Sequence, residues 1–455
     1  MTGPVTVHVV LPDGEEVEAG TLRTHASGRN ESATFVYAEA FLRDRRAYAI
    51  DPALPLQPGP FHTGGEPVFR SMADSAPDRW GQGLLRRAER SRADDAGATP
   101  RTLLSADFLL GVHDELRQGA LRYTRDGEYL SPADRGVPRL VDLPRLLDLT
   151  DRMLADPDLD AGLRDLVDAG GSLGGARPKA AVRDHAGALQ IAKFPRKGSD
   201  DWDVMAWEKV ALDLAARAGI AVPNSALITV AGRNVLVLDR FDRDGDRRIG
   251  YVSAMTMMEA HERTDDLSAV ELAEEMETGS AAPEEDLHEL FRRCVFSALI
   301  NNTDNHLRNH GFLRRQDGWV LSPAFDMNPD PEGSTPAMPI VPGGGDLSDA
   351  VELADAFRLD RAQALEQIGQ VAAAVGQWRD LAESMGIHGS EITLMRRAFD
   401  NPDAAHAAQL VEAAGRASAP APRPAAGGRA RVPAGVRTGG QFTSRQRGES
   451  DAQLG

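Results

Sequence analysis

Asn301-Asn302-Thr303-Asp304-Asn305-His306-Leu307-Arg308-Asn309 is the stretch on which the reading of the fold turns, and Ala324-Phe325-Asp326-Met327-Asn328 follows it, with Asp326 seventeen residues past Asn309. An aspartate, an asparagine five positions later and a second aspartate beyond a short hairpin is the arrangement that phosphoryl transfer from ATP requires. One carboxylate, Asp304, would meet the substrate hydroxyl, while the amide oxygen of Asn309 and the carboxylate of Asp326 would hold Mg²⁺ against the phosphates. Mg²⁺ takes few, hard oxygen ligands from a protein and completes its shell with water and phosphate, so two such side chains suffice. Taken alone, Asp304 and Asn309 also suit a turn that ends a helix, since both residue types favour turns. Their conjunction with Asp326 and with the lysines described next favours the kinase reading.

The 51 basic residues are 47 arginines and four lysines, and the lysines, Lys179, Lys193, Lys197 and Lys209, fall within 31 residues. Arginine meets every general need for positive charge in this chain, so lysine is kept where a compact, flexible point charge has to reach a phosphate. Lys193 closes the apolar run Ala188-Leu189-Gln190-Ile191-Ala192, which reads as a strand, and sits like the lysine of the V-A-I-K strand in protein kinases. Glu208 lies in Met205–Ala218, whose apolar period predicts a helix, and is placed to pair with Lys193 as the kinase helix glutamate does. Gly170-Gly171-Ser172-Leu173-Gly174-Gly175-Ala176-Arg177-Pro178-Lys179 runs into a strand one hairpin before Lys193. Glycines let backbone N–H groups approach a phosphate, which makes Ser172, Gly174, Gly175, Ala176 and Lys179 candidate phosphate contacts, although the run matches neither of the common glycine-rich nucleotide motifs. Leu238-Asp239-Arg240-Phe241-Asp242-Arg243 ends a strand before a polar turn. It reads either as a hinge touching adenine, through Asp239 and Phe241, or as a surface cluster of Asp–Arg ion pairs.

A chain of 455 residues is long enough for two or three domains. No apolar run approaches the roughly eighteen residues of a membrane span. Met1-Thr2-Gly3-Pro4-Val5 lacks a basic start and an apolar core, so secretion is not expected and a cytoplasmic location is. Cys294 is the single cysteine; it excludes an internal disulfide and, on an apolar helix face, reads as core packing. Trp80 likewise reads as packing. The formal charge of −18 argues against broad contact with a nucleic-acid backbone. From residue 414 to 455 the charge is +5, seven arginines against two acids, which leaves −23 for the rest. That segment is rich in Gly, Pro, Ala and Ser and is expected to be a disordered, solvated tail, with an interaction arm as the alternative.

Strands are expected at 5–10, 33–37, 179–182, 189–194, 226–230 and 234–238, and helices at 74–92, 140–155, 159–169, 203–218, 286–300, 360–383 and 389–412, with a mixed stretch at 105–123. A β-rich front and a helical back make an α+β, two-lobed, protein-kinase-like fold with nucleotide between the lobes. The expected division is an N-terminal β-rich subdomain at 1–131, a small lobe at 132–245, a helical large lobe at 246–413 and the tail at 414–455.

The ordered set Phe35-Val36-Tyr37, Asp74-Ser75-Ala76-Pro77-Asp78-Arg79-Trp80-Gly81, Gly119-Ala120-Leu121-Arg122, Ser172 to Lys179, Ala192-Lys193-Phe194, Asp239 to Arg243, Asn302 to Asn309 and Pro323-Ala324-Phe325-Asp326 resembles the HipA-type toxin kinases of bacterial type II toxin–antitoxin systems over roughly residues 5–400. The resemblance implies a Ser/Thr protein kinase using ATP and Mg²⁺. It implies Asp304 as catalytic aspartate, Asn309 and Asp326 as metal ligands, Lys193 at the ATP phosphates, Asp239 and Phe241 beside adenine, and Ser172 as an autophosphorylated serine. It further implies a protein substrate such as an aminoacyl-tRNA synthetase, and a helix-turn-helix antitoxin of HipB type through which DNA would be reached indirectly; no membrane partner is implied. Asp239 stands where the family has glutamate, and the extension beyond residue 413 has no counterpart there. The same catalytic parts also suit a small-molecule kinase, and a non-catalytic co-repressor is the reading outside enzymology. His306 receives no role.

Overall fold

Apolar residues at every second position of Val5-Thr6-Val7-His8-Val9 dictate a strand with one buried face. In the computed structural model, which describes residues 3–28, 30–130, 137–156, 162–170, 177–261, 267–333 and 338–418, Val5, Val7 and Val9 are buried. That strand, β1 (Val5–Val10), lies inside an antiparallel sheet with β2 (Glu16–Ser27), β3 (Asn30–Tyr37), β4 (Pro60–His62), β5 (Leu121–Arg125) and β6 (Glu128–Tyr129), in the order β4-β3-β2-β1-β5-β6. Gly20 permits the β2–β3 pairing, because a Cβ there would stand 2.2 Å from the Val36 carbonyl oxygen. Phe35, Tyr37, Phe41 and Phe69 fill the core over this sheet.

The second sheet holds β7 (Lys179–Arg183), β8 (Leu189–Lys193), β9 (Ser225–Val230) and β10 (Arg233–Asp239), antiparallel in the order β7-β8-β10-β9. The helix Val204–Arg217 joins β8 to β9, and its Met205 and Leu212 pack with Leu236 and Leu238 of β10. The helices Leu143–Ala155 and Leu163–Gly170 share a separate core, Leu146, Leu147 and Met153 with Ala180, Ala192 and Val237. A two-residue pairing of β11 (Arg243–Asp244) with β12 (Arg247–Arg248) leads into a three-stranded sheet of β13 (Tyr251–Ser253), β14 (Gly311–Arg314) and β15 (Trp319–Leu321). From there the chain is mainly helical, with Ala269–Gly279, Pro283–Leu299, Arg361–Val375, Trp378–Ser384, Gly389–Phe399 and Pro402–Ser418 around one large core that contains Cys294.

The structure departs from expectation in bounded ways. The helix expected from residue 74 begins at Arg79, after the short helix Arg70–Ala73 and a turn at Asp74-Ser75. The helix expected over 360–383 breaks at Gly376, and the one over 389–412 breaks at Asp400-Asn401, where Asn401 accepts from the Ala404 N–H and caps the next helix. That last helix continues to Ser418, past the expected start of the tail, and residues 419–455 lie outside the described residues. The Asp–Arg cluster, which one of the two readings of this segment put at the surface, is buried. Asp242 accepts from Arg240 at 2.8 and 2.6 Å, from Arg243 at 2.6 Å and from the Gly119 N–H at 2.8 Å. Arg240 and Arg243 also donate to the Leu116 and Arg117 carbonyls, each at 2.7 Å, so the cluster clasps the loop that leads into β5.

Candidate active site

Lys193 is the last residue of β8 and is buried. Its Nζ is 2.5 Å from Glu208 Oε1 and also pairs with Asp326 Oδ1. Glu208 arrives on the helix Val204–Arg217, whose N-terminus Asp203 caps by accepting from the Ala206 N–H, and only 1% of it is exposed. Asp326 sits at φ +53°, a left-handed conformation that costs a non-glycine residue strain and that Asp tolerates better than most. Burial pushes the Asp326 carboxyl up, but the ammonium groups of Lys193 and Lys179 outweigh it and hold it well below the usual carboxylate range. Burial lowers Lys193, and Asp326 and Glu208 more than restore its charge. Glu208 itself is shifted upward, burial exceeding the pull of Lys193, so of the two carboxylates on Lys193 it is Asp326 that is firmly ionised.

Lys179 stands directly across from Lys193 in the β7–β8 register and is also buried. Like charges directly opposite on one sheet face destabilise the pairing unless anions compensate them. Here Asp326 and Glu208 act on both lysines, and burial together with Lys193 still leaves Lys179 below its ordinary pKa. Two buried ammonium groups on neighbouring strands are a charge pattern suited to an anion such as a phosphate chain.

The Asn301–Asn309 loop leaves the helix Pro283–Leu299 and is fastened from several sides. The Asn302 N–H donates to the Ser297 carbonyl at 2.8 Å, Asn301 Nδ2 to the Asp330 and Gly333 carbonyls at 2.6 and 2.9 Å, and Thr303 Oγ1 to Asp330 Oδ2 at 2.8 Å. Asn309 Nδ2 donates to the Asp304 carbonyl at 2.8 Å, which leaves the amide oxygen as the atom able to bind a cation. Asp304 points outward, with its side chain 77% exposed and His306 Nε2 3.7 Å from its carboxylate. The structure therefore gathers Lys193, Glu208, Asp326 and Lys179 into one buried cluster and leaves Asp304 at the rim. His306, to which the sequence assigned no role, contacts Asp304 and is near enough for its charge to act on Asp326.

The adenine candidates are placed differently from each other. Asp239 has its carboxylate committed, accepting from Gln190 Nε2 at 2.7 Å and Asn224 Nδ2 at 3.0 Å. The Phe241 ring lies 5.5 Å from that of Phe325, beside Asp326, and so forms an aromatic wall next to the metal-ligand candidate. Ser172, Gly174, Gly175 and Ala176 lie outside the described residues. Arg177, which follows them, pairs with Asp200 at 2.8 Å. Asp74 is a site neighbour that sequence reasoning missed: its carboxylate takes the Ser253 N–H at 2.7 Å and hydroxyl at 2.8 Å, and burial raises its pKa to about 6. The run Asp74–Gly81 was visible in the sequence, but no spacing rule linked it to the distant loop.

Among the described residues, no group of three or more His, Cys, Asp or Glu side chains gathers as a metal site. Asn309 and Asp326 offer the hard oxygen atoms that Mg²⁺ accepts, and the lowered pKa of Asp326 suits a cation. Among the described residues, no helix is long and apolar enough to cross a membrane.

Residues 171–378 match the family model of the HipA-like C-terminal domain. No curated protein matches the chain. A solved structure from Shewanella oneidensis MR-1, the toxin–antitoxin complex of HipA, HipB and its operator DNA, aligns with TM-score 0.60 and 15% identity over 90% of this chain and 97% of that one. The Helicobacter pylori proinflammatory kinase CtkA aligns with TM-score 0.39 and 15% identity over 53% of this chain and 94% of that one. The first alignment spans β-rich front and helical back together, so the chain shares the mixed α+β fold of that structure.

Proposed function

We propose, from the match of residues 171–378 to the HipA-like C-terminal domain family, that the protein is an ATP- and Mg²⁺-dependent serine/threonine protein kinase acting as the toxin of a HipA/HipB-like toxin–antitoxin system. The observation that carries the reading is the Lys193 ammonium held between Glu208 and Asp326 with Lys179 opposite. That geometry keeps one lysine charged, rigid and aimed where a triphosphate would lie, as the lysine–glutamate pair of kinases does.

In this reading Lys193 and Lys179 bind the phosphates, with Gly174, Gly175 and Ala176 covering them. Asn309 and Asp326 hold Mg²⁺, whose charge offsets that of the phosphates when bound. Asp304, exposed at the rim, accepts the hydrogen of the substrate hydroxyl and takes its proton as that oxygen bonds to the γ-phosphorus, while the bond from the γ-phosphorus to the β-phosphate oxygen breaks and ADP leaves with that electron pair. An exposed carboxylate is accessible to a side chain of another protein, which fits a protein substrate such as an aminoacyl-tRNA synthetase. Phe241 borders the adenine; Asp239 contributes through its backbone, since its carboxylate is committed. Ser172 is the autophosphorylation site. The lobes divide at 1–131, 132–245 and 246–413, and the protein acts in the cytoplasm with a HipB-type antitoxin that carries it to DNA.

The test is incubation of the full chain with γ-labelled ATP, Mg²⁺ and cell extract, beside Asp304→Ala. Labelled serine or threonine in another protein, absent with Asp304→Ala, supports the reading. Equal labelling by both proteins, or none by either, overturns it.

A further inference from the structure

Asp78 opens the helix Arg79–Asp95, and a carboxylate at that position ordinarily accepts a hydrogen bond from the N–H two or three residues on. Here the Trp80 N–H acts on the carboxylate, but its Oδ1 is buried with no hydrogen-bond partner among the described residues. Lys179 is the complementary case. It is 7% exposed, and the charges that act on it are those of Asp326, Lys193, Asp78 and Glu208. The two charges act on each other and both act on Asp326.

The elements that bear them are locked together. Trp80, two residues after Asp78, donates its indole N–H to the Lys179 carbonyl at 2.9 Å. Gly170, directly before the glycine-rich stretch, closes the joint, since a Cβ there would stand 2.7 Å from the Lys179 carbonyl oxygen and 3.1 Å from Trp80 Nε1. The other carboxylates that act on Lys179 are Asp326 and Glu208, and both are bonded to Lys193. Asp78 is therefore the only one of the three not committed to the neighbouring lysine. A buried carboxylate oxygen left without a partner is costly, and beside a buried ammonium it indicates that the two close on each other when the site is filled.

We propose that Asp78 is a positioning residue of the nucleotide site: its carboxylate holds the Lys179 ammonium toward the triphosphate, so that the N-terminal region completes the phosphate seat. This rests on the kinase reading above. Asp78 does not itself touch phosphate; it acts through Lys179. Loss of its charge frees the ammonium to swing toward Asp326 and compete with Lys193 for it.

Calorimetric binding of MgATP and of adenosine to the full chain tests the idea, with wild type, Asp78→Asn, Lys179→Met and the double variant. Asp78→Asn keeps the shape of the side chain and removes its charge. It should weaken MgATP about tenfold, the effect of losing one nearby opposite charge, and leave adenosine binding unchanged. The double variant should bind no more weakly than Lys179→Met alone, because Asp78 then has nothing to position. Asp94→Asn, exposed on the same helix, should bind as wild type does. A helix-capping role alone would move adenosine and ATP together. Wild-type affinity in Asp78→Asn, or additive losses in the double variant, would overturn the proposal while leaving the kinase reading intact. Absence of MgATP binding in the wild type would overturn both.

Discussion

Lys193, Lys197 and Lys209 share a charge and a short stretch of chain but not a setting. Lys193 is buried between two carboxylates, Lys197 is exposed, and Lys209 pairs with Asp213 one helical turn on. A guanidinium is broader and longer than an ammonium, so Lys193→Arg should lose at least about nine-tenths of ATP-dependent activity while the same change at Lys197 or Lys209 has little effect. Equal tolerance at all three positions, in a phosphoryl-transfer assay, would mean that their clustering is incidental. Asp304→Ala and Asp326→Ala should each lower the rate by about 10²–10⁴ with the thermal midpoint nearly unchanged for the exposed Asp304. His310 offers a pH test of the loop. Burial, then the charges of Arg293 and His306, lower its pKa to about 3, and its Nε2 bonds Asn305 Oδ1 at 2.9 Å. In the unfolded chain the imidazole titrates near 6.5. Between those values the unfolded state binds a proton that the folded state does not. The stabilising effect of the neutral ring is therefore complete above about pH 6.5 and declines on acidification toward pH 3, by about 1.4 kcal/mol per unit. Urea titrations at pH 7.5 and pH 5 should show wild type losing more stability than His310→Gln; parallel losses would refute this account. At this scale the sequence made the grouping of Lys193, Glu208 and Asp326 legible, because the kinase pattern sets those residue types in that order and the structure pairs them. It hid Asp78 and His306, whose relevance comes only from contacts across the fold.

The buried clasp at Asp242 illustrates what a propensity reading of elements cannot see. Asp242 gathers Arg240, Arg243 and the Gly119 N–H, and their combined pull holds its carboxyl far below the ordinary range against the opposing effect of burial. Removing the carboxylate leaves two buried guanidinium groups without their counter-charge. Asp242→Ala should then cost about 3–5 kcal/mol, read as a lower urea midpoint. A loss under about 1 kcal/mol, the usual worth of an exposed pair, would show the clasp to be as solvated as the surface cluster the sequence suggested. The strands β7 to β10 and the helix between them were legible because their apolar periods are long and their turns rich in glycine. The sheet β13–β15 was not, since Tyr251-Val252-Ser253 is too short to show alternation and gains its partners from residues sixty positions away. The helix Ala269–Gly279 was overlooked although its start was written in the chain, where Ser268 and Glu271 form a capping box.

For the molecule as a whole, the helix Pro402–Ser418 is the last described element, and Ala407 is buried in the large core with Ala404 and Leu410 packed against it. Deleting 419–455 should leave both the thermal midpoint and phosphoryl transfer unchanged, whereas ending the chain at residue 401 should lower the midpoint by several degrees, as loss of a core-packed helix does. Reduced activity of the shorter deletion would assign the basic tail a part in the reaction. The order of β-rich front and helical back was legible from composition and period. The clamping of Asp74 onto Ser253 and of Trp80 onto Lys179 was not, because each joins segments roughly a hundred residues or more apart. The scarcity of lysine also has a practical consequence. Lys197 is the one exposed lysine among the four, and it lies three residues before Asp200, which holds Arg177 at the end of the glycine-rich stretch. Amine-directed coupling through side chains would tether nearly every copy by that single residue. On a sensor surface the molecules would share one orientation, anchored beside their own cleft, and nucleotide binding measured there should be weaker than the same binding measured free in solution.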